Sequence, residues 1–133
     1  MRSLIAEDDL ISRKFLSKFL SKYGECDLVV DGIEALDAYL MAIKEKKPYD
    51  LVCLDVMMPK LDGIKALKYI RELETQNDLK IEECSKIIMT TALDGTQDVQ
   101  EAFDLGCDAY ANKPIDTEKF VDVLKKLKLI DEI

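Results

Sequence analysis

The 133-residue chain has no histidine and no tryptophan, only three prolines, five glycines and four cysteines, and no basic tract. Each shortage removes a class of function. Without histidine there is no Ser-His triad, no His-ligated metal and no phosphohistidine on the chain itself, so histidine chemistry has to come from a partner. A low proline and glycine content beside 48% hydrophobic and 35% charged residues excludes a disordered or fibrous chain. Cys26, Cys53, Cys84 and Cys107 are widely spaced with no CxxC pair, which speaks against a zinc site. Cys26, Cys53 and Cys107 lie in apolar stretches and read as small core residues, with redox sensing the rival reading; Cys84 lies in a polar stretch and is expected to be exposed. A net charge of -8 speaks against nucleic acid as a direct ligand and suits divalent cations and positively charged partners. No apolar run approaches the roughly 20 residues that span a bilayer. "MRSLIAEDD" meets three acidic residues before any signal-peptide core could form. The expectation is a cytoplasmic protein with no membrane contact.

What is present is an alternation of short apolar runs with longer amphipathic ones, of a length that suits one compact domain over residues 1–133. "SLIA" (3–6) predicts a strand. Ile11, Phe15, Phe19 and Tyr23, with Leu16 and Leu20 beside them, predict one buried helix face from Leu10 to Tyr23, stopped by Gly24. "CDLVV" (26–30) predicts a strand, and Asp31 caps a helix from Gly32 to about Lys46 that buries Leu36, Tyr39, Leu40 and Ile43. "YDLVCLD" (49–55) is apolar without alternation, as in a central parallel strand covered on both faces. A helix from Ile64 to Leu73 follows, then a polar connection (75–85), a strand "KIIMTTA" (86–92), and a helix from Gln97 to Leu105 around Val99, Ala102 and Phe103. "CDAYAN" (107–112) is a fifth strand, and Asp116 caps a last helix carrying Phe120, Val123, Leu124 and Leu127. Five strand–helix units in strict alternation predict an α/β fold, a parallel sheet between two helical layers, with ligands bound beyond the carboxyl ends of the strands.

At those ends stand Glu7, Asp8 and Asp9, then Asp55, then Thr90 and Thr91, then Lys113. Singly, each has a plain reading: a helix cap for Asp9, a turn-forming aspartate ahead of the turn chemistry of "PKLDG" for Asp55, strand filler for Thr91, a solvated surface lysine for Lys113. Together, on one sheet edge, they form a pocket of crowded carboxylates that calls for a cation. An all-oxygen donor set suits Mg2+, or Mn2+ in its place. The predicted chemistry is phosphoryl transfer onto a carboxylate, with Asp55 the nucleophile because it ends the central strand. The metal and Lys113 would neutralise the phosphoryl oxygens.

These residues also carry a resemblance. "LIAEDD", "LVCLDVMMPKLDG", "IIMTTA" and "GCDAYANKP" resemble the receiver domains of bacterial two-component response regulators, including the stand-alone chemotaxis type. The resemblance implies a flavodoxin-like, doubly wound (βα)5 sandwich with strand order 2-1-3-4-5. It implies that Asp55 is the phosphoacceptor, that Glu7 and Asp8 are the acidic pair, and that the Met57 carbonyl completes the metal set. It further implies Thr91 as the switch hydroxyl followed by small Ala92, Lys113 as the invariant lysine in a Lys-Pro step often held cis, and Tyr110 as the aromatic switch position. Partners implied are a histidine kinase or histidine phosphotransfer protein, docking beside the first helix, and a downstream target protein, with a phosphorylation-dependent dimer open. The protein is then a phospho-accepting switch rather than an enzyme acting on a separate substrate. The stretches 44–49 and 75–85 are longer than in a typical member and join the opposite end of the sheet. Met57 and Leu93 flank the acceptor and the switch threonine with apolar groups unable to activate water, which predicts a long-lived phosphorylated state.

Rivals are weaker. A haloacid-dehalogenase-type phosphatase would carry an aspartate where Met57 stands and a substrate-covering cap, and a flavodoxin would have a phosphate loop in place of "EDD". A receiver used only as a binding module would be expected to have lost part of the pocket. The chain is expected to be a complete single-domain regulator, with the receiver part of a longer protein as the alternative reading.

Overall fold

Of the nine elements whose bounds the sequence predicts, eight differ from them by one to three residues at an end, but every element forms, and in the expected order. The computed structural model describes residues 1–92 and 96–131, with residues 96–98 described by their backbone alone. Strands β1 (Ser3–Ala6), β2 (Cys26–Val29), β3 (Leu51–Asp55), β4 (Lys86–Thr91) and β5 (Ala109–Asn112) alternate with helices α1 (Leu10–Leu20), α2 (Gly32–Lys44), α3 (Gly63–Gln76), α4 (Thr96–Asp104) and α5 (Thr117–Lys126). The strands form one parallel sheet in the order β2-β1-β3-β4-β5. β3, the central strand, is buried at every residue, which is why it reads as continuously apolar.

Alternate residues of the strands feed two cores. Leu4, Val52, Leu54, Ile87 and Met89 pack under Ala35, Tyr39 and Ala42 of α2 and Ala66, Leu67 and Ile70 of α3. Ile5, Cys53 and Ile88 face the other way, onto Leu16, Phe19 and Leu20 of α1 and Phe120 and Leu124 of α5. Phe19 and Phe120 meet edge to face at 5.7 Å, joining these two helices. Helix starts are set by aspartates: Asp9, Asp31, Asp62 and Asp116 each accept a backbone N–H from the first turn of the helix that follows.

Several expectations need correction. Ile11 and Phe15 are not core: they are 79% and 44% exposed. Each four-residue step overshoots a helical turn by about 40°, so Ile11 and Tyr23 cannot share one face; the buried stripe is Leu16, Phe19 and Leu20. Phe103 is likewise exposed while its neighbour Ala102 is buried. In α2 the fully buried residues are Ala35, Tyr39 and Ala42, whereas Leu36, Leu40 and Ile43 are half-buried. β3 begins at Leu51; Tyr49 precedes it, buried, with its hydroxyl donating to Asp27 at 2.6 Å. Cys107 is buried but lies outside β5. Cys84 is half-buried rather than exposed.

The connection from 75 to 85 is less of a linker than its polarity suggests. α3 runs on to Gln76, a 3-10 turn occupies Ile81–Glu83, and Ser85 is buried. Glu74 and Ser85 enter a buried polar network at the amino ends of the strands. The Tyr39 hydroxyl donates to Glu74, the Ser85 amide donates to Glu74 at 3.0 Å, and the Arg71 guanidinium donates to Glu74, to the Ser85 and Gly106 carbonyls and to Asp108. Burial, and then the Glu74 carboxylate, push the Tyr39 hydroxyl well above its ordinary pKa.

Candidate functional site

Ala6 of β1 lies in register with Leu54 of β3, so the next residues, Glu7 and Asp55, stand side by side at the carboxyl edge of the sheet. Asp55 in turn is paired with Thr90 of β4, and Thr91 with Asn112 of β5, one residue short of Lys113. Parallel register alone thus gathers residues from four strands at one edge. The Lys113 ammonium donates to both Glu7 and Asp55, reaching the Asp55 Oδ2 at 3.2 Å. Its backbone N–H donates to the Thr91 carbonyl at 2.8 Å, which anchors the lysine to the end of β4. The Lys113–Pro114 peptide is cis.

Glu7, Asp8 and Asp55 each offer an oxygen within 4.8 Å of the others. Glu7 is fully buried and Asp55 is 5% exposed, while Asp8 faces solvent. Three carboxylates face one ammonium, so the cluster carries uncompensated negative charge. Burial raises the Glu7 pKa and the neighbouring Asp55 adds to this, against the opposing pull of Lys113 and the Asp9 N–H. Burial works against the charged form of Lys113, but its contacts with Glu7 and Asp55 outweigh that and its pKa rises. Lysine therefore remains the cation of the site. Hard carboxylate oxygens without histidine or thiolate form a donor set that fits Mg2+ or Mn2+. Asp9 stands apart: its carboxylate accepts the Ser12 N–H at 2.9 Å and so caps α1, which lowers its pKa.

Met57 follows directly. Its N–H donates to Asp55 Oδ1 at 3.3 Å, so amide and lysine engage different oxygens of the same carboxylate. Its side chain is exposed. Thr91 is fully buried and has the strand parity of Ile87 and Met89; Tyr110 packs against the same core cluster, so the two switch candidates share a face of the sheet. Ala92, beyond Thr91, is exposed. Leu93 lies outside the described residues.

Other residues have a part that the linear pattern did not reveal. The Arg13 guanidinium, one turn into α1, donates to the Glu7 carbonyl at 2.9 Å and the Asp8 carbonyl at 3.3 Å and fixes the turn that presents the acidic pair. Gly32 and Asp31, at the start of α2, press on the loop after Asp55. An arginine after an acidic run and a glycine after a capping aspartate are common surface features, so only the fold gives them this meaning.

Comparison with known proteins bears on the family and the fold. A family model described as "Response regulator receiver domain" matches residues 3–125. The chain is 31% identical to probable histidine kinase 2 of Oryza sativa subsp. japonica, over 93% of this chain and 12% of that protein. It is 35% identical to the transcriptional regulatory protein DltR of Streptococcus agalactiae serotype III, over 91% of this chain and 49% of that one. The chain thus spans about half or less of the length of these relatives. The receiver domain of the histidine kinase CKI1 from Arabidopsis thaliana, complexed with Mg2+, superposes with a TM-score of 0.83 at 27% identity, covering 95% of this chain and 90% of that one. A chain of the CheX-CheY-BeF3-Mg complex from Borrelia burgdorferi superposes with a TM-score of 0.81 at 28% identity, covering 96% and 89%.

Proposed function

The chain belongs to the response regulator receiver domain family, and from that premise we propose that it accepts a phosphoryl group on Asp55 from a partner phosphohistidine and changes a partner-binding face in response. Residues 1–133 are read as one such receiver domain. The observation that carries the reading is the Lys113 ammonium bonded at once to Glu7 and Asp55, with Asp8 completing the acidic group.

Glu7, Asp8, Asp55 and the Met57 carbonyl would hold Mg2+, or Mn2+, which when bound supplies positive charge to the phosphoryl oxygens. The rest is done by the chain. Lys113 and the Met57 N–H each take one Asp55 oxygen and fix the carboxylate plane. One Asp55 oxygen forms the new P–O bond as the P–N bond of the donor breaks, and the imidazole nitrogen leaves with the bonding pair. Lys113 then neutralises charge on the phosphoryl group. Thr91, buried at the adjoining strand end, offers a hydroxyl to a phosphoryl oxygen. Its reorientation frees space on the face it shares with Tyr110, and the surface of α4, β5 and α5 changes its preference for a downstream target protein.

The donor is a histidine kinase or a histidine phosphotransfer protein. Support for docking beside α1 comes from the exposed Ile11 and Phe15, which with Lys113, Pro114 and Ile115 line an apolar cavity of about 230 Å3 next to the reacting group. The output face carries a second cavity of about 340 Å3, between Tyr110 and Ala111 of β5 and Phe120 and Val123 of α5. Exposed apolar Met57 at the site cannot activate water, which supports a long-lived phosphorylated form.

Incubation with a small-molecule phosphodonor and Mg2+ tests the reading by intact mass. One phosphoryl group should add to the native protein, and none to Asp55→Asn or to protein with the divalent ion chelated. Persistent labelling of Asp55→Asn refutes the assignment.

A further inference from the structure

Seven residues, Val56–Asp62, separate Asp55 from α3 and carry Met57, so whatever holds this loop also holds the Met57 carbonyl. Three fastenings are visible. At its base the Gly63 N–H donates to the Val56 carbonyl at 2.9 Å and the Val56 N–H donates to the Thr90 carbonyl at 2.9 Å. At its tip the Leu61 N–H donates to the Pro59 carbonyl at 2.7 Å around Lys60, whose φ is 67°, closing a tight three-residue turn. The third fastening comes from a different unit of the fold. A Cβ placed on Gly32, the first residue of α2, would overlap the Leu61 carbonyl oxygen and stand 2.7 Å from the Leu61 Cβ and 2.8 Å from its carbonyl carbon. Beside it Asp31, buried at the helix cap, lies 3.6 Å from the Lys60 ammonium.

Gly32 has no conformational need to be glycine: it lies in a helix, outside the left-handed region. Alanine there would favour the helix. What stands in the way of a side chain is Leu61, through both its carbonyl group and its Cβ. When a Cβ is added, one of the two must yield. α2 is keyed into the core by Ala35, Tyr39 and Ala42; the loop enters the same core through Val56 and Met58, with Leu61 packed against it, but its tip at Pro59 and Lys60 is exposed. The tip of the loop, at Pro59–Leu61, is the part with room to yield.

We propose that Gly32 is a positioning residue for divalent-cation binding: its bare Cα lets α2 seat the Val56–Asp62 loop so that the Met57 carbonyl joins the Glu7, Asp8 and Asp55 carboxylates. This rests on the reading of those four as the metal set. Groups that orient metal ligands typically change affinity by about 10–100-fold when altered.

The test is calorimetric titration of the full chain with MgCl2, with melting curves recorded in the presence and absence of Mg2+. Gly32→Ala should weaken Mg2+ binding about tenfold or more and shrink the Mg2+-induced rise in melting temperature, whatever the fall in the melting temperature without metal. Leu61→Gly, which loosens the same contact from the loop side, should weaken Mg2+ binding too, and it decides the matter if Gly32→Ala does not fold. Native protein that takes up no Mg2+ overturns the site reading and this inference together. Native protein that binds Mg2+ while the variant binds it within about twofold overturns this inference alone, even if the variant has lost stability, because that pattern belongs to a purely structural role.

Discussion

Arg71→Met should be among the most destabilising single changes in the molecule that leave the acceptor pocket untouched. The Arg71 guanidinium donates to Glu74 at 2.7 Å, to the Ser85 carbonyl at 2.9 Å, to the Gly106 carbonyl at 2.8 and 3.0 Å, and to Asp108 at 3.0 Å. It ties α3 to the amino ends of β4 and β5. Glu74 is 5% exposed and the arginine 22%. Removing one partner of a buried pair costs about 3–5 kcal/mol because the other is left charged and unpaired. Water reaching the partly exposed guanidinium lowers this toward about 3 kcal/mol. For a domain of this size that is roughly 10 °C in melting temperature and a large part of a typical stability of about 5–15 kcal/mol. Glu74→Gln removes the charge that Arg71 balances, so Arg71→Met should cost much less in the Glu74→Gln background. Urea unfolding of the native protein, both single variants and the double variant gives the coupling directly. Asp55 phosphorylation per folded molecule should be unchanged in Arg71→Met, since the network lies at the amino ends of the strands and Asp55 at the carboxyl end of β3. A cost under about 1 kcal/mol, or strictly additive effects, would refute this account of the network.

The thiols give a second test. Burial, with a small push from Cys26, takes the Cys53 pKa up to about 12, and burial followed by Asp108 takes Cys107 up to about 11, from 9.0. In the native protein at pH 8 a thiol reagent should leave Cys53 unmodified and modify half-buried Cys26 and Cys84 first, with all four reacting in denaturant; rapid loss of the Cys53 thiol would contradict its burial. An acid whose pKa is raised by folding stabilises the fold fully below its unfolded value. That contribution is therefore present below about pH 9 and disappears as the pH climbs through 11 to 12, and Cys53→Ala should flatten the alkaline limb of the stability curve. Ser3 is fully buried, and its hydroxyl has no hydrogen-bond partner among the described residues. Ser3→Ala should therefore raise stability by about 1 kcal/mol in urea unfolding, and a loss of that size would show that the hydroxyl is satisfied. Ile11→Ser with Phe15→Ser should leave stability within about 0.5 kcal/mol. The same pair should slow phosphorylation by a phosphohistidine protein but not by a small-molecule donor; equal slowing of both would remove the docking role of α1.

Some of this was open to direct reading. Strand β3 is covered on both faces and so has no polar position to break its apolar run; the aspartate that ends it could only be a capping, turn or reacting group. The capping roles of Asp9, Asp31 and Asp116 follow from one short polar side chain before an amphipathic run, which is local chemistry. Other features were hidden because they depend on which neighbours arrive. The exposure of Ile11, Phe15 and Phe103 depends on what lies above each helix, and hydrophobicity says nothing of that. The tyrosine–glutamate–arginine network was invisible in the polar stretch 75–85 because its members are spread along the chain from Tyr39 to Asp108 and most lie outside that stretch.

By itself, then, the order of residues determined the alternation of strands and helices, the parallel sheet that alternation requires, and the identity of the polar groups at the strand ends, because periodicity, capping and burial on both faces act over a few neighbouring residues. Only the tertiary structure decided that Lys113 bridges Glu7 and Asp55, that Arg13 holds the acidic turn and that Gly32 seats the loop after Asp55. Those contacts are made by side chains and carbonyls brought together by strand register and helix seating, whose positions no local pattern encodes.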